Sequence, residues 1–277
     1  MVKHSAKIIL LILFLNVFFL SGCKDFFDYL ATNDLDERLA VKDNLTYLNS
    51  KGWTTLSLTN ENDYSFIVFT DTHIKDGSTS GLDKMAEFIQ NNTQIEFAVI
   101  TGDITDYGAE KDIKKFMEMA DQFNVPCYPV IGNHDVLRNN WNNWKTLIGS
   151  TCYKITGNGI NLFILDSANC FFGKKQLDWL ENVIKYSSGR NFVFTHVNLF
   201  ADGPVDVQQF SDAKERARIV SILKNKCCFV FSGHAHRRFI NETGNVKYIS
   251  IEDYNTNKAY CIVTVKDSVV SYAFGKL

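Results

Sequence analysis

Phe229-Val-Phe-Ser-Gly-His234-Ala-His236 decides how this chain is read. An apolar run of strand type ends in two small residues, and two imidazoles follow with one residue between them. The same grammar recurs in Ile67-Val-Phe-Thr-Asp71-Thr-His73, Ala98-Val-Ile-Thr-Gly-Asp103, Tyr128-Pro-Val-Ile-Gly-Asn133-His134-Asp135 and Phe192-Val-Phe-Thr-His196. Each is a strand of buried character, then Thr, Ser or Gly, then a group able to bind metal. In an open α/β sheet, ligands collect outside the carboxyl ends of the strands, so five such ends converge on one place. Gly102, Gly132 and Gly233 are expected to supply the backbone freedom for a sharp turn at that rim. A lone histidine is ordinarily a satisfied core or loop residue. Here His73, His134, His196, His234 and His236 are every histidine but His4, and all five follow a strand. Asp71 and His73 are two apart, as are His234 and His236, so in extended chain each pair points to one side.

Outward from these ends, short β-branched or aromatic runs alternate with amphipathic stretches of helix length, the pattern of stacked β-α units. Strands are expected over 65–70, 97–101, 127–131, 151–155, 162–165, 191–195, 228–232, 238–241, 246–251, 260–265 and 269–274. Helices are expected over 81–91, 110–123, 174–186 and 212–224, the third with Leu177, Leu180 and Ile184 on one side. The closing run of strands predicts a mixed sheet with a second sheet packed on it.

The first 22 residues stand apart. Lys3 and Lys7 precede an apolar run over 8–20, too short for the roughly 20 residues of a spanning helix and suited to a signal peptide. Leu20-Ser21-Gly22-Cys23 resembles a bacterial lipobox, which makes Cys23 the lipidated mature N-terminus. The expected organisation is a signal peptide over 1–22, a lipid-anchored tether over 23–63 and one domain over 64–277. The chain is then exported and held on a membrane, in the periplasm or at the cell surface. The polar, acidic stretch before Tyr64 carries Asp25, Asp28, Asp34, Asp36 and Glu37, with a short helix expected near 36–41 and an edge strand within 53–58. Of 277 residues, 45% are hydrophobic and 22% charged, the balance of a globular protein with plenty to bury. Without Lys3 and Lys7, 27 basic residues face 31 acidic ones, a net of −4. That excludes the basic surplus of a nucleic-acid-binding face. Cys127, Cys152, Cys170, Cys227, Cys228 and Cys261 are scattered and read first as small buried hydrophobes, with disulfides of unreadable connectivity left open.

Asp-x-His, Gly-Asp-x-x-Asp, Gly-Asn-His-Asp, a lone His and Gly-His-x-His, in that order, resemble the calcineurin-like metallophosphoesterases over roughly 66–274, with no motif missing. The resemblance implies an α/β (α+β) fold, a four-layer α/β/β/α sandwich of two mixed sheets flanked by helices. It implies that Asp71, His73 and His236 hold one metal, that Asn133, His196 and His234 hold another, and that Asp103 bridges them. His134 would be the catalytic histidine near the leaving group, with Asp135 orienting it through a hydrogen bond. Imidazole with carboxylate suits first-row ions such as Mn, Fe or Zn. Two such ions can turn a bridging water into hydroxide and clamp the phosphoryl oxygens of a very slow reaction.

Gly102-Asp-Ile-Thr-Asp106-Tyr107-Gly108 resembles the branch that contains bacterial cyclic-nucleotide phosphodiesterases. Purple acid phosphatases carry Tyr where this chain has Asp106, so no coloured iron centre is expected, and Asp106 reads as a loop or helix-capping residue, with metal contact as the alternative. Arg237 follows the last motif and is a candidate for touching a phosphate. Trp141 and Trp144 either stack a base or pack a helix on the sheet. The implied function is phosphodiester hydrolysis, with a phosphate-ester small molecule or a lipid or polymer head group as substrate. The alternatives are a phosphomonoesterase or nucleotidase, or a non-catalytic metal-binding scaffold. No stable nucleic-acid partner is expected, and the oligomeric state is left open. A scaffold would be expected to lose motif residues, whereas His134 and Asp135 are not needed for metal binding alone.

Overall fold

The structure, a computed structural model, describes residues 35–41, 43–138, 140–200, 210 and 212–277. The apolar run over 8–20 and Cys23 lie outside the described residues; among those described, no helix is long and apolar enough to cross a membrane. In chain order the elements are α1 (Leu35–Leu39), α2 (Thr46–Lys51), β1 (Asp63–Phe69), α3 (Leu82–Asn91), β2 (Ile95–Thr101), α4 (Glu110–Asp121) and β3 (Cys127–Val130). There follow α5 (Trp141–Leu147), β4 (Tyr153–Gly157), β5 (Ile160–Ile164), α6 (Gly173–Lys185), β6 (Arg190–Phe194), α7 (Ala213–Leu223) and β7 (Phe229–Ser232). The chain closes with β8 (Phe239–Thr243), β9 (Val246–Ser250), α8 (Tyr254–Asn257), β10 (Ala259–Lys266) and β11 (Val269–Lys276). All eleven strands and all four helices expected from residue 65 onward are present, with ends shifted by a few residues.

Two mixed sheets result, ordered β11-β10-β1-β2-β3 and β4-β5-β6-β7-β9-β8. Within them β1, β2 and β3 run parallel, as do β5, β6, β7 and β9. The parallel strands are buried on both faces, which is why they read as unbroken apolar runs rather than alternating ones. Alternate residues serve the two sides. Phe66 stacks on Phe97 at 4.6 Å and meets Phe192 of the other sheet edge-on at 5.1 Å, filling the space between sheets. Phe69 faces the opposite way, toward Phe123 and Tyr254. Leu177, Leu180 and Ile184 of α6, with Ile219 and Leu223 of α7, cover the outer face of the second sheet at Phe163 and Val193. The sequence is therefore an α/β sandwich of two mixed sheets flanked by helices.

Two parts differ from expectation. The tether expected over 23–63 is, from Leu35 onward, part of the folded body. Leu35, Tyr47, Leu48 and Leu56 are buried, and the guanidinium of Arg38 is fully buried against Asp166. Residues 53–58 form no strand; single backbone bonds such as Leu56 N to Thr156 O hold them instead. Trp141 and Trp144 lie on α5 and are buried, so they pack the helix and do not offer a stacking platform. The six described cysteines are free, with Cys127, Cys170, Cys227 and Cys261 buried.

Candidate metal centre

Every expected donor sits just past the carboxyl end of a parallel strand: Asp71 and His73 after β1, Asp103 after β2, Asn133 after β3, His196 after β6, and His234 and His236 after β7. Backbone pairing continues beyond the strands and holds these ends side by side: Asp71 N donates to Gly102 O, His73 N to Asp103 O and Gly233 N to His196 O, each 2.9–3.0 Å. Asp71, His73, Asp103, His234 and His236 all have left-handed backbone, with φ between 45° and 66°. That region is sparsely used by residues other than glycine, and such strain clusters where a site aims its side chains. Of the glycines, Gly102 has positive φ (+92°) as expected of a sharp turn. Gly233 does not, and its reason is room: a Cβ there would land on Thr70 Oγ1 and 2.5 Å from the Asp71 carboxylate.

One chain of short contacts joins all seven donors. His236 Nε2 lies 3.1 Å from Asp71 Oδ1, and His73 Nε2 lies 3.9 Å from the same oxygen. Asp103 Oδ2 is 4.0 Å from His73 Nε2 and 3.2 Å from His196 Nε2. His196 Nε2 is also 3.0 Å from Asn133 Oδ1 and 3.2 Å from His234 Nδ1. Asp71, His73 and His236 thus form one group and Asp103, His196 and His234 a second, with Asp103 reaching the first through His73; His73, Asp106 and His134 form a third.

The donor chemistry fits cations. His196 Nδ1 lies 2.9 Å from the carbonyl of Thr101, which can only accept, so Nδ1 carries the proton and the Nε2 lone pair points inward. There it meets a carboxylate oxygen, an amide oxygen and another imidazole nitrogen. Lone pairs converging in a buried site repel unless a positive charge sits among them. Without metal that charge is a proton: burial opposes it, but the charge and hydrogen bond of Asp103 raise His196 to about 9. Both nitrogens of His73 are buried without a hydrogen-bond partner. Burial pushes the Asp71 and Asp103 carboxyls up, yet the surrounding imidazoles outweigh it and hold both below the usual range. The carboxylates are thus ready to bind metal.

Around the donors, Thr70 Oγ1 donates to Asp71 Oδ2 at 2.6 Å, and His234 N donates to the same oxygen at 3.0 Å. His134 is about one-third exposed, with Nε2 4.0 Å from Asp103 Oδ2. Its expected partner was Asp135, and this is corrected: Asp135 accepts instead from the backbone N–H groups of Ile104, Thr105 and Gly132 and from the Thr105 hydroxyl. The carboxylate is fully buried and serves the loops after β2 and β3, leaving it no free direction toward the imidazole. Burial, and then the charge of Asp103, push Asp135 up to about 6. What faces His134 is Asp106: its carbonyl is 3.0 Å from Nδ1 and its Oδ1 3.7 Å. Asp106 Oδ1 is also 3.4 Å from His73 Nδ1, and Lys75 Nζ lies 3.0 Å from Oδ2. Asp106 is therefore a site residue rather than a remote cap, and its place at the end of the Gly-Asp-x-x-Asp motif was the available signal. Asp253, 3.9 Å from His236 Nδ1, was not anticipated; it belongs to no motif and reaches the site only through the fold. Arg237 is exposed beside His236. Tyr107 turns its ring under the Arg138 guanidinium, 3.6 Å away.

The family model for calcineurin-like phosphoesterases matches residues 64–238. A protein of Arcobacter nitrofigilis named "Probable glycerophosphodiester phosphodiesterase" is 27% identical over 156 residues, 51% of this chain and 57% of its own length. A "Probable cyclic nucleotide phosphodiesterase" of Xenorhabdus bovienii is 26% identical over 159 residues, 53% of this chain and 64% of its own. The match therefore spans less than two thirds of either curated relative. The crystal structure of a dimetal phosphatase from Danio rerio covers 76% of this chain and 95% of its own at a TM-score of 0.59, a likeness of fold at 16% identity.

Proposed function

The chain belongs to the calcineurin-like phosphoesterase family, and from that premise we propose that it hydrolyses phosphodiesters with two transition-metal ions, Mn, Fe or Zn, on the outer side of a bacterial membrane. The observation that carries this is Asp103, one carboxylate shared by two donor groups, 3.2 Å from His196 Nε2 and 4.0 Å from His73 Nε2. Asp71, His73 and His236 would hold one ion and Asn133, His196 and His234 the other. When bound, such ions acidify water and offset charge on phosphoryl oxygens.

The remaining work falls to side chains. His134 Nδ1 faces the Asp106 carbonyl, an acceptor only, so that nitrogen keeps its proton and Nε2 is left toward the centre. With a second proton on Nε2, the imidazolium hydrogen-bonds the phosphoryl group and passes that proton to the departing oxygen, leaving the neutral ring with its proton on Nδ1, work worth about 10²–10⁴-fold. Asp135 holds the two loops that carry Asp103 and His134 in register. Lys75, Arg138 and Arg237 put positive charge around an otherwise acidic chain and favour entry of an anionic substrate.

The diester reading draws on the named activities of the two curated relatives. Lipidation at Cys23 would place the domain on a short arm. Because the body begins by Leu35, residues 23–34 give a covalent reach of at most about 40 Å. Phosphodiesters of lipid or polymer head groups then suit the location better than an intracellular second messenger. The test is direct: the full-length chain, stripped and reloaded with Mn, Zn or Fe, is assayed on p-nitrophenyl phosphate, its bis-ester and cyclic nucleotides. Chelator-sensitive preference for the bis-ester is expected; preference for the monoester would make it a phosphatase or nucleotidase, and no turnover with two ions bound would make it a scaffold. Palmitate labelling that survives Cys23→Ser would remove the anchor.

A further inference from the structure

Arg38 lies outside the stretch that the family model spans, on α1, yet its guanidinium is fully buried. It grips Asp166 as a fork, Nε to Oδ2 at 2.7 Å and Nη2 to Oδ1 at 3.0 Å, and Nη2 also reaches Asn169 Oδ1 at 2.7 Å. A buried ion pair is a poor way to add stability, since apolar residues of the same size commonly do as well or better. What this fork does is hold a turn. Asp166 is the second residue past the end of β5, and its backbone is clamped by Gln176, which accepts from Asp166 N at 2.8 Å and donates to Asp166 O at 2.7 Å. The next residue, Ser167, offers its hydroxyl oxygen to the end of β6. It accepts from Val197 N at 2.9 Å, from His196 N at 3.2 Å and from the Thr195 hydroxyl at 2.8 Å. Arg38, Asp166, Ser167, Asn169, Thr195 and His196 are all wholly buried. The last of them presents Nε2 to Asn133, Asp103 and His234.

We infer that Arg38 is a positioning residue of the metal centre: through Asp166 and the Ser167 hydroxyl it fixes the backbone at His196, so the second donor group binds its ion tightly only while α1 is docked. The inference rests on the two-metal reading above. Asp71, His73 and His236 meet this network beyond His196, by way of His234, Asp103 and the Thr70 and Thr101 contacts, so the first ion should be far less sensitive. A segment that leads toward the chain's N-terminus is in this way part of the centre, although every donor lies after residue 70.

The full-length chain in mild detergent, stripped with chelator, is titrated with Mn(II) by calorimetry and by low-temperature EPR. Wild-type protein should take two equivalents and show the spectrum of a spin-coupled pair. In Ser167→Ala and Arg38→Lys the second equivalent should weaken by about 10–100-fold, the usual effect of losing an outer partner of a metal ligand. The first should be unchanged, and the pair spectrum should fade at equal metal. Millimolar guanidinium ion should restore the second equivalent to Arg38→Ala. If Arg38→Ala does not fold, Ser167→Ala still decides, because it deletes a single hydroxyl. Unchanged second-ion affinity in Ser167→Ala and Arg38→Lys overturns the inference. A wild-type chain that binds one ion overturns the two-metal reading and this inference together, whereas two ions without hydrolysis overturn only the proposed activity.

Discussion

Left-handed backbone at the hairpins and at the donor-bearing rim of this molecule serves different ends. The two-residue turns Asn158-Gly159, Gly244-Asn245 and Asp267-Ser268 join β4 to β5, β8 to β9 and β10 to β11, with positive φ at both residues of each. That is the geometry of a turn whose twist matches the flanking strands. Asp71, His73, Asp103, His234 and His236 have the same backbone but close no hairpin; they follow parallel strands. Each left-handed residue other than glycine costs about 1–2 kcal/mol, with asparagine and aspartate the most tolerant. At the hairpins strain reverses the chain, and at the rim it turns donors toward a common centre. The first kind can be relieved freely and the second cannot.

That contrast can be broken at its strongest point with Asp103→Ala. Loss of the shared carboxylate should leave less than one bound ion by elemental analysis and lower turnover of the bis-ester by about 10⁴-fold or more, as when a catalytic unit loses a central member. Two ions retained would show that the groups are independent. His134→Ala should cut kcat by about 10²–10⁴-fold with metal content intact; equal loss of both would move His134 among the ligands. Gly233→Ala forces a methyl onto Thr70 and Asp71 and should destabilise by about 1–3 kcal/mol in thermal unfolding, with weaker metal binding. Gly159→Ala, whose added Cβ meets nothing within 4 Å, should cost only the left-handed backbone penalty of about 1–2 kcal/mol and leave metal affinity alone. The smallest effect has the opposite sign. Ser268 sits at φ 73° without a glycine's freedom, so Ser268→Gly should stabilise by about 1 kcal/mol and leave kcat unchanged. If Gly233→Ala and Gly159→Ala behave alike, the rim is no more constrained than a hairpin.

The rim was legible because its information is local. An apolar run followed by Gly-His-Ala-His reports both the strand and what stands at its end, and a parallel sheet brings such ends together whatever the loops do. The role of Asp135 was not legible. Proximity in sequence to His134 suggested a pair, but three donors from the loop after β2 and one from its own loop occupy the carboxylate, and Asp106, 28 residues away, faces the imidazole instead. From Leu35 onward the tether expectation fails for a related reason. Asp36 and Glu37 are exposed, as acidic composition suggests, but buried Arg38 beside them is paired with a residue 128 positions later and ties the segment to the body.

Sequence alone determined the order of strands and helices, the five donor-bearing strand ends and the family, because periodicity and short motifs are properties of neighbouring residues. Only the tertiary structure decided which carboxylate serves which imidazole, that Asp103 stands between two donor groups, and that α1 reaches the centre through Asp166 and Ser167. Those assignments depend on distances between residues far apart in the chain, and such distances exist only once two sheets have packed and fixed both ends of each contact.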